Sequence, residues 1–312
     1  MCCLFGMIDL YHTLSRKQKN KILRVLSTAC EARGTDAAGV AYNAHGNLQI
    51  YKRPVPAHLL HLHIPDDATV VMGHTRMTTQ GCEKFNWNNH PFKGITNGRS
   101  FALAHNGVLR NDDQLRIMQH LPATKIETDS FVAVQLIQKY ETLSLDSLKY
   151  MAEQLEGSFS FTVLDSKNAL YFVKGDNPLC LYFYPQTGLY LYASTQEILD
   201  KALNNIRYIQ ERPRHIQLDC GDILKVNADG SHEMTQFDTG KLYTCSWLWD
   251  YWPHFPFSLQ TTSVQTSARQ EYVQQLRSTA GYFGYDPSSV DLMLADGYSL
   301  DDVEAMLYAG EL

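Results

Sequence analysis

The sequence predicts a layered α+β protein with a small helical C-terminal extension. Over residues 1–240, short apolar segments of strand length alternate with pairs of helical segments, a pattern typical of helices packed on sheets. After residue 240 the composition changes, because three of the four tryptophans fall within residues 243–257. We therefore predict a main domain over 1–240, a Trp- and Pro-rich linker over 241–267 and a helical extension over 268–312.

The first part of the main domain begins with a strand and a helix. Residues 4–10 form a short apolar run, and residues 15–33 carry apolar side chains at helical spacing. A turn at His45-Gly46-Asn47 joins two predicted strands, 38–42 and 48–53. The strands predicted next are 70–74 and 101–105, and the helices are 112–120, 129–141 and 145–155.

After Gly157 the pattern becomes predominantly β. Two strands, 222–226 and 232–237, are predicted to pair across Asp229-Gly230, a strong hairpin signal. The other strands predicted in this part are 159–164, 169–173, 179–184 and 189–193, followed by a helix at 196–203. The extension is expected to contain helices at 268–280, 287–295 and 300–307.

Bulk properties exclude several classes of function. A net charge of -6 argues against a nucleic-acid-binding surface, and no apolar run approaches the roughly 20 residues that span a bilayer. No signal-peptide pattern follows the start, so we expect a cytoplasmic protein that binds no membrane. The seven cysteines contain no C-x-x-C pair, and His58, His61 and His63 have few acids nearby. We therefore predict no disulfide framework, no metal and no cofactor.

The most informative residue is Cys2. Removal of Met1 would leave Cys2 with a thiol and a free α-amine, which titrate near ~8.5 and ~7.7–8.0 in unperturbed groups. A nucleophile activated by its own amine is a known solution to amide hydrolysis. Taken alone, the residue fits better as a buried cysteine in a first strand, so the hypothesis depends on the rest of the chain.

Two further segments offer groups that such a nucleophile would need. Arg76 stands at the end of a predicted strand and could clamp a carboxylate through two hydrogen bonds, or lie in a polar surface turn. Asn106 and Gly107 follow another strand. They are either a plain turn or two adjacent donors for an oxyanion, each worth about 2.7–4 kcal/mol of barrier.

Two more segments are each explained by structure or by function. Glu127-Thr128-Asp129-Ser130 fits a helix N-terminus, and Asp129 would also suit a substrate ammonium. The loop over residues 33–39 is interpreted as structural support.

In this order the segments resemble the class II glutamine amidotransferase domain, an N-terminal nucleophile hydrolase found in glucosamine-6-phosphate synthase and amidophosphoribosyltransferase. The resemblance covers about residues 2–240. It rests on Cys2-x-x-Phe5-Gly6, Arg33-Gly34-Thr35-Asp36-Ala37-Ala38-Gly39, Gly73-His74-Thr75-Arg76, Asn89-His90-Pro91-Phe92, His105-Asn106-Gly107 and Glu127-Thr128-Asp129. The resemblance implies a four-layer αββα sandwich of two stacked, mainly antiparallel sheets.

The resemblance also implies roles. Cys2 would attack the side-chain amide of L-glutamine, and Asn106 and Gly107 would hold the oxyanion. Arg76 would bind the substrate α-carboxylate and Asp129 its α-ammonium. The other substrate-binding residues implied are Thr79 and Gln80, on a loop closing over the substrate, and His105. The family usually has glycine where this chain has Cys3, whose side chain would have to fit beside the site.

The implied reaction releases ammonia through a γ-glutamyl thioester. Because only about 70 residues follow the domain, we expect the acceptor to lie on a separate synthetase or transferase subunit. Trp247, Trp249 and Trp252 could dock that partner, or pack back onto the main domain. Two other functions stay open: a non-catalytic glutamine-binding or scaffold protein that keeps the fold, and an N-terminal-cysteine hydrolase of acylated substrates.

Overall fold

The computed structural model describes residues 2–206, 208, 209, 211–242 and 285–296, together with 273, 276, 277, 280, 298, 300, 303, 306 and 307. The chain divides into two compact units, residues 1–246 and 247–312. The predicted linker lies outside the described residues apart from Lys241 and Leu242, and so do the three tryptophans at 247, 249 and 252.

The first unit contains thirteen strands among the described residues. In chain order they are β1 Cys3–Asp9, β2 Ala37–Ala44, β3 Asn47–Arg53, β4 Val70–Arg76, β5 Phe92–Thr96, β6 Arg99–Leu109, β7 Gly157–Asp165, β8 Leu170–Lys174, β9 Cys180–Tyr184, β10 Leu189–Ala193, β11 Arg214–Ile216, β12 Asp222–Val226 and β13 His232–Gln236. They form a seven-stranded sheet, ordered β11-β9-β10-β1-β4-β2-β3, and a six-stranded sheet, ordered β13-β12-β8-β7-β6-β5. Every paired strand in both sheets runs antiparallel.

Helices cover the outer faces of both sheets. The α-helices that the structure describes in this unit are α1 Arg16–Ala29, α2 Asp112–Met118, α3 Phe131–Lys139, α4 Leu145–Gln154 and α5 Gln196–Leu203. One apolar cluster joins α1 and α5 to the seven-stranded sheet, and a second joins α3 and α4 to the six-stranded sheet. A third cluster lies between the sheets. The predicted four-layer αββα sandwich is confirmed.

The alternation of side chains along β1 explains its position in the middle of the sandwich. Leu4 and Ile8 belong to the cluster between the sheets, whereas Cys3, Phe5 and Met7 belong to the cluster beneath the helices. Successive strand residues point to opposite faces, so both faces of β1 must be apolar. Its seven residues are all buried, which is why the sequence shows a continuous apolar run there.

Most predicted elements are confirmed, with their ends shifted by a few residues. The helix predicted from Ser15 begins at Arg16 with Ser15 as its cap, and the Gln18 side chain accepts a 2.9 Å hydrogen bond from the Ser15 N–H. The strand predicted to end at His105 was wrong in its length. β6 continues to Leu109, so Asn106 and Gly107 lie within a strand and form no turn.

The second unit is described in part. The helix predicted over 287–295 is confirmed by α6, Ser288–Ala295. Five buried side chains in this unit form a small apolar cluster: Leu276, Ala280, Val290, Val303 and Leu307. These side chains pack against one another, so the unit has a small apolar core of its own.

Candidate active site

The polar segments singled out in the sequence meet at one end of the space between the sheets. Because β1 and β4 are antiparallel, with Cys3 paired to Thr75, the start of β1 lies beside the end of β4. Residues two apart share a face, so Arg76 lies on the same face as Met72, which belongs to the cluster between the sheets. The opposing sheet contains β6, where by the same rule Asn106 shares a face with Ala104. Ala104 also belongs to the cluster between the sheets.

These ends surround a narrow cleft that is nearly closed. Its walls come from the chain start, the end of β4 and the loop after it, β6, and the segment before α3. The lining residues are Cys2, Arg76, Met77, Thr79, Gln80, His90, His105, Gly107, Thr128, Asp129 and Ser130.

Cys2 is half-buried and directly precedes β1. Its Sγ lies 3.5 Å from the Met77 carbonyl oxygen, and its own carbonyl accepts a 3.0 Å hydrogen bond from Arg33 Nε. Burial raises the pKa of the Cys2 thiol, while the Met77 backbone and the Arg76 charge act in the opposite direction. The thiol is therefore held in place but mostly protonated at neutral pH, so attack requires a base.

Cys3 lies away from the cleft. Its side chain is buried beneath the helices, where its Sγ lies 2.9 Å from Cys30 Sγ. The expectation that Cys3 must fit beside the site was wrong, because alternation along β1 turns adjacent residues to opposite faces. A side chain in place of the family's glycine is thus accommodated by the helix layer.

Arg76 is a buried guanidinium, 3 % exposed, at the floor of the cleft. Its Nη1 donates to Asn89 Oδ1 at 2.6 Å, and its Nη2 donates to the carbonyls of Gln80 and Gly81 at 2.6 and 2.9 Å. Burial lowers the pKa of Arg76, but a guanidinium stays charged in proteins. Three of its five N–H groups make these contacts, and the other two have no hydrogen bond to the described residues.

The segment over residues 33–39, which runs into β2, supports the end of β4, as the sequence interpretation held. Asp36 N donates to Arg76 O at 2.9 Å, and Asp36 Oδ2 accepts from Thr78 N at 2.6 Å. A Cβ on Gly34 would lie 2.6 Å from Arg76 O and from Met77 N. Only glycine allows this loop to approach the Arg76 backbone so closely.

Asp129 is a buried carboxylate before α3. Its Oδ2 accepts from Leu109 N at 2.6 Å, and its Oδ1 accepts from Ser130 N at 2.7 Å and from Ser130 Oγ at 3.1 Å. These bonds tie the end of β6 to the start of α3. A carboxylate has about four lone-pair sites, so Asp129 retains acceptor capacity toward the cleft.

Gly107 lines the cleft, whereas Asn106 lies just behind its wall. Asn106 is fully buried, and its Nδ2 lies 3.4 Å from Ser194 Oγ, which also accepts from Leu4 N at 2.8 Å. Asn106 Oδ1 has no partner among the described residues. Gly107 has φ +143°, and a Cβ there would clash with the Ser158 carbonyl oxygen. A side chain is thereby excluded where β6 meets the cleft.

Three buried histidines line or underlie the cleft. His105 Nδ1 lies 2.7 Å from Ser130 Oγ, and His74 Nε2 lies 2.8 Å from His105 O on the opposing sheet. Neither ring nitrogen of His90 has a partner within the described part of the chain. Burial lowers the pKa of all three, that of His74 to about 3. The rings are therefore neutral at physiological pH.

The loop after β4 forms the outer wall. Thr79 and Gln80 are exposed at the rim of the cleft. The loop is tied to the segment before α3, because Asn88 Nδ2 donates to Glu127 Oε2 at 2.7 Å and Asn88 Oδ1 accepts from Glu127 N at 3.0 Å. Its Gln80 and Gly81 carbonyls contact Arg76 directly, so the loop covers part of the guanidinium.

The cleft thus brings together seven of the eight predicted site residues, with Asn106 behind its wall: Cys2, Arg76, Thr79, Gln80, His105, Gly107 and Asp129. Sequence reasoning assigned no role to His90, Thr128 or Ser130, which also line it. His90 lies within the quoted motif Asn89-His90-Pro91-Phe92, so a signal was present. Ser130 stands next to Asp129 but became visible only through its contact with His105.

Among the residues that the structure describes, no group of three or more His, Cys, Asp or Glu side chains is arranged to hold a metal ion. His58 instead contacts Glu31, with Nδ1 2.9 Å from Oε1. None of the helices that the structure describes has both the length and the apolar character required to cross a membrane.

Comparison with known proteins agrees with the motifs. A family model described as a glutamine amidotransferase domain matches residues 74–201. The chain is similar to the enzyme named glutamine–fructose-6-phosphate aminotransferase (isomerizing). For Staphylococcus epidermidis the identity is 32 % over 158 residues, covering 48 % of this chain and 26 % of the relative. For Sulfurisphaera tokodaii it is 31 % over 192 residues, covering 58 % and 31 %. The chain therefore spans about a third or less of these relatives.

Solved structures support the fold. Glutamine phosphoribosylpyrophosphate amidotransferase from B. subtilis, complexed with ADP and GMP, superposes with a TM-score of 0.62 at 20 % identity. That match covers 89 % of this chain and 58 % of the other. A structure described as the allosteric regulatory enzyme of purine biosynthesis gives a TM-score of 0.61 at 20 % identity, covering 77 % and 50 %. At this identity the likeness concerns the fold.

Proposed function

We propose that this chain hydrolyses the side-chain amide of L-glutamine to glutamate and ammonia. The premise is that it carries a class II glutamine amidotransferase domain. The observation that carries the proposal is the meeting of Cys2, Arg76 and Asp129 in one cleft although they are far apart in the sequence. A nucleophile, a fixed cation and a fixed anion in one small site match a free amino acid with a reactive side chain.

Substrate selection follows from the two charges. Two N–H groups of Arg76 remain for the α-carboxylate, and Asp129 retains lone pairs for the α-ammonium. Both groups are buried, so a substrate that lacks either charge leaves a buried ion unpaired, which costs several kcal/mol (about 3–5). The Gln80 and Gly81 carbonyls cover part of Arg76, so the proposal requires that the loop carrying Thr79 and Gln80 opens for substrate entry and then closes over the substrate.

Catalysis begins when the α-amine of Cys2, freed by removal of Met1, takes the thiol proton. Sγ then attacks the side-chain carbonyl carbon, and the oxyanion is held by the Gly107 N–H and an Asn106 Nδ2 hydrogen. The protonated amine returns its proton to the departing nitrogen, so ammonia leaves and a γ-glutamyl thioester forms. Water, activated by the same amine, releases glutamate. The neutral His105 helps to bind the substrate without adding a competing charge.

We also propose that the ammonia passes to an acceptor on a separate synthetase or transferase subunit. The similar enzymes are named for transfer to an acceptor, and the match covers only 26–32 % of the length of those in S. epidermidis and Halalkalibacterium halodurans. If the acceptor chemistry lies elsewhere, the chain alone releases free ammonia and glutamate in equal amounts. An ammonia yield below that of glutamate, with an aminated product formed by the chain alone, contradicts this part.

The decisive experiment combines a glutaminase assay with a measurement of the intact mass of the protein, which shows whether Met1 has been removed. We expect wild type without Met1 to hydrolyse glutamine and to be labelled at Cys2 by a glutamine-like alkylating agent. Cys2→Ala should lose hydrolysis by a factor of at least about 10³ while keeping its fold by circular dichroism. Cys82→Ala, a change of a half-buried cysteine in the neighbouring loop, serves as control and should keep activity.

The alternatives give different results in the same assay. A glutamine-binding scaffold would bind glutamine, measured by calorimetry, without hydrolysing it in either variant. A hydrolase of acylated amines would cleave amides that lack the free α-carboxylate and α-ammonium. Activity in protein that retains Met1 would overturn the role of the Cys2 amine.

A further inference from the structure

The segment Asn89–Pro91 forms one side of the candidate active site and rests on a lysine that the mechanism does not use. Lys52 Nζ donates to the carbonyl oxygens of Asn89 and of Pro91, the latter at 3.1 Å. Its Nζ also lies 5.1 Å from the centre of the Phe92 ring. One ammonium thus holds the backbone on both sides of His90.

The surface on which the Asn89–Pro91 segment packs is formed by two residues that pair across adjacent strands. Lys52 of β3 pairs with Gly39 of β2. A Cβ on Gly39 would clash with the His90 carbonyl oxygen and would lie 2.6 Å from the Lys52 Cβ. The missing side chain lets the segment approach the sheet, and the lysine beside it supplies the hydrogen bonds.

The segment in turn holds Arg76. Asn89 Oδ1 accepts from Arg76 Nη1 at 2.6 Å, while Asn89 Nδ2 donates to Glu83 O at 2.8 Å. Asn89 therefore contacts Lys52 through its main chain and Arg76 through its side chain. A chain of two hydrogen bonds connects the ammonium of Lys52 to the guanidinium in the cleft.

We propose that Lys52 is a positioning residue for substrate recognition, which fixes the Asn89–Pro91 segment and through Asn89 orients Arg76 toward the substrate α-carboxylate. The inference rests on the proposed glutaminase function. It predicts that the loss of Lys52 weakens recognition of the carboxylate and leaves the chemistry at Cys2 intact. An error in orientation costs binding even where no contact with the substrate is lost.

The charge of Lys52 gives the arrangement a pH signature. Burial lowers the pKa of Lys52 to about 8, and the positive Arg76 acts in the same direction. The other titratable groups facing it are His74 and His90, which are neutral because burial lowers their pKa. Above about pH 8 the neutral amine donates more weakly to the two carbonyls, so the KM for glutamine should rise there in wild type.

The test compares Lys52→Met, Lys52→Arg and, as matched control, Lys93→Met at an exposed lysine of β5. We expect K52M to raise the KM for glutamine on the order of ten- to a hundredfold, with kcat within about twofold of wild type. K52R, whose guanidinium stays charged, should restore most of the KM and remove the part of its rise that begins near pH 8. K93M should behave as wild type.

The outcomes separate the inference from the function on which it rests. A wild-type KM in a folded K52M overturns the inference alone, and so does a loss confined to kcat. If K52M fails to fold, the pH profiles of wild type and K52R decide, because identical profiles overturn the role of the Lys52 charge. If wild type without Met1 neither binds nor hydrolyses glutamine, the proposed function fails, and the inference fails with it.

Discussion

Asp129 combines a structural task with a predicted binding task. Three donors from Leu109 and Ser130 converge on its carboxylate, so the residue joins β6 to α3 even when the cleft is empty. The sequence offered these as competing interpretations, a helix N-terminus or a partner for an ammonium. In the structure one carboxylate has enough lone pairs for both.

Two substitutions at Asp129 separate these tasks. Asp129→Asn keeps one acceptor oxygen and leaves one buried N–H unpaired, so the free energy of unfolding should fall by about 1–3 kcal/mol. Asp129→Ala should lose more stability, because neither oxygen remains. Both changes remove the negative charge, so both should raise the KM for glutamine by a similar factor, about 10–100.

The measurements are urea unfolding and steady-state kinetics on the same preparations. The exposed Asp146 in the first turn of α4 provides the control, since Asp146→Asn changes a carboxylate outside the cleft. If the rise in KM were proportional to the loss of stability, the KM of Asp129→Asn would be close to that of wild type. That result would contradict the ammonium-binding role and leave only the structural task.

At the scale of elements, hydrophobic periodicity together with turn and capping residues predicted most strands and helices. The strand β1 was recognisable as an apolar run, and α1 by its spacing and its cap at Ser15. The end of β6 was not recognisable. Asn106-Gly107 is a strong local turn signal, yet pairing with Ser160 and Phe159 of β7 keeps both residues in the strand. Non-local pairing therefore overrode a local preference.

The end of β4 depends on residues 33–36, which lie in neither a helix nor a strand and lead into β2. This segment contacts Arg76 and Thr78 through Asp36, and Gly34 packs against the Arg76 backbone. A methyl group at Gly34 must push the two apart. We expect Gly34→Ala to displace the Arg76 guanidinium and to raise the KM for glutamine at least about tenfold, with a loss of stability.

Gly46→Ala is the matched control for this prediction. Gly46 has φ +75° with no atom within 4 Å of a new Cβ, so alanine there costs about 1 kcal/mol of backbone strain far from the cleft. Unfolding experiments should show both variants destabilised, while only G34A changes the KM. An equal KM in the two variants would mean that this loop does not position Arg76.

At the scale of the whole molecule, the site is a product of the two-sheet architecture. Cys2 directly precedes β1 of one sheet, which also contains Arg76, and Gly107 belongs to the other sheet. These residues meet only because the sheets stack with their polar ends together. The motifs in the sequence predicted most of these residues as site residues. They did not give the order of strands or the contact between His74 and the His105 carbonyl across the sheets, because such pairings join distant segments.

The same stacking buries three neutral histidines, which makes the first unit sensitive to acid. His74, His90 and His105 are each less than 5 % exposed, and a proton on His74 or His90 would face the positive charges of Arg76 and Lys52. In the unfolded chain a histidine takes up its proton near pH ~6.5, whereas His74 in the fold stays neutral down to about 3. The unfolded state then binds more protons, so stability falls as pH drops through this range.

His74→Gln tests this account, because glutamine cannot titrate and keeps an N–H that can donate to the His105 carbonyl. Wild type should lose about 1.4 kcal/mol of unfolding free energy per pH unit for each such histidine below pH ~6. H74Q should therefore show a slope smaller by that amount between pH 6 and 4 in urea titrations. His232→Gln, at an exposed position in β13, should keep the wild-type slope. Parallel slopes for wild type and H74Q would show that His74 takes up its proton equally in the folded and unfolded states.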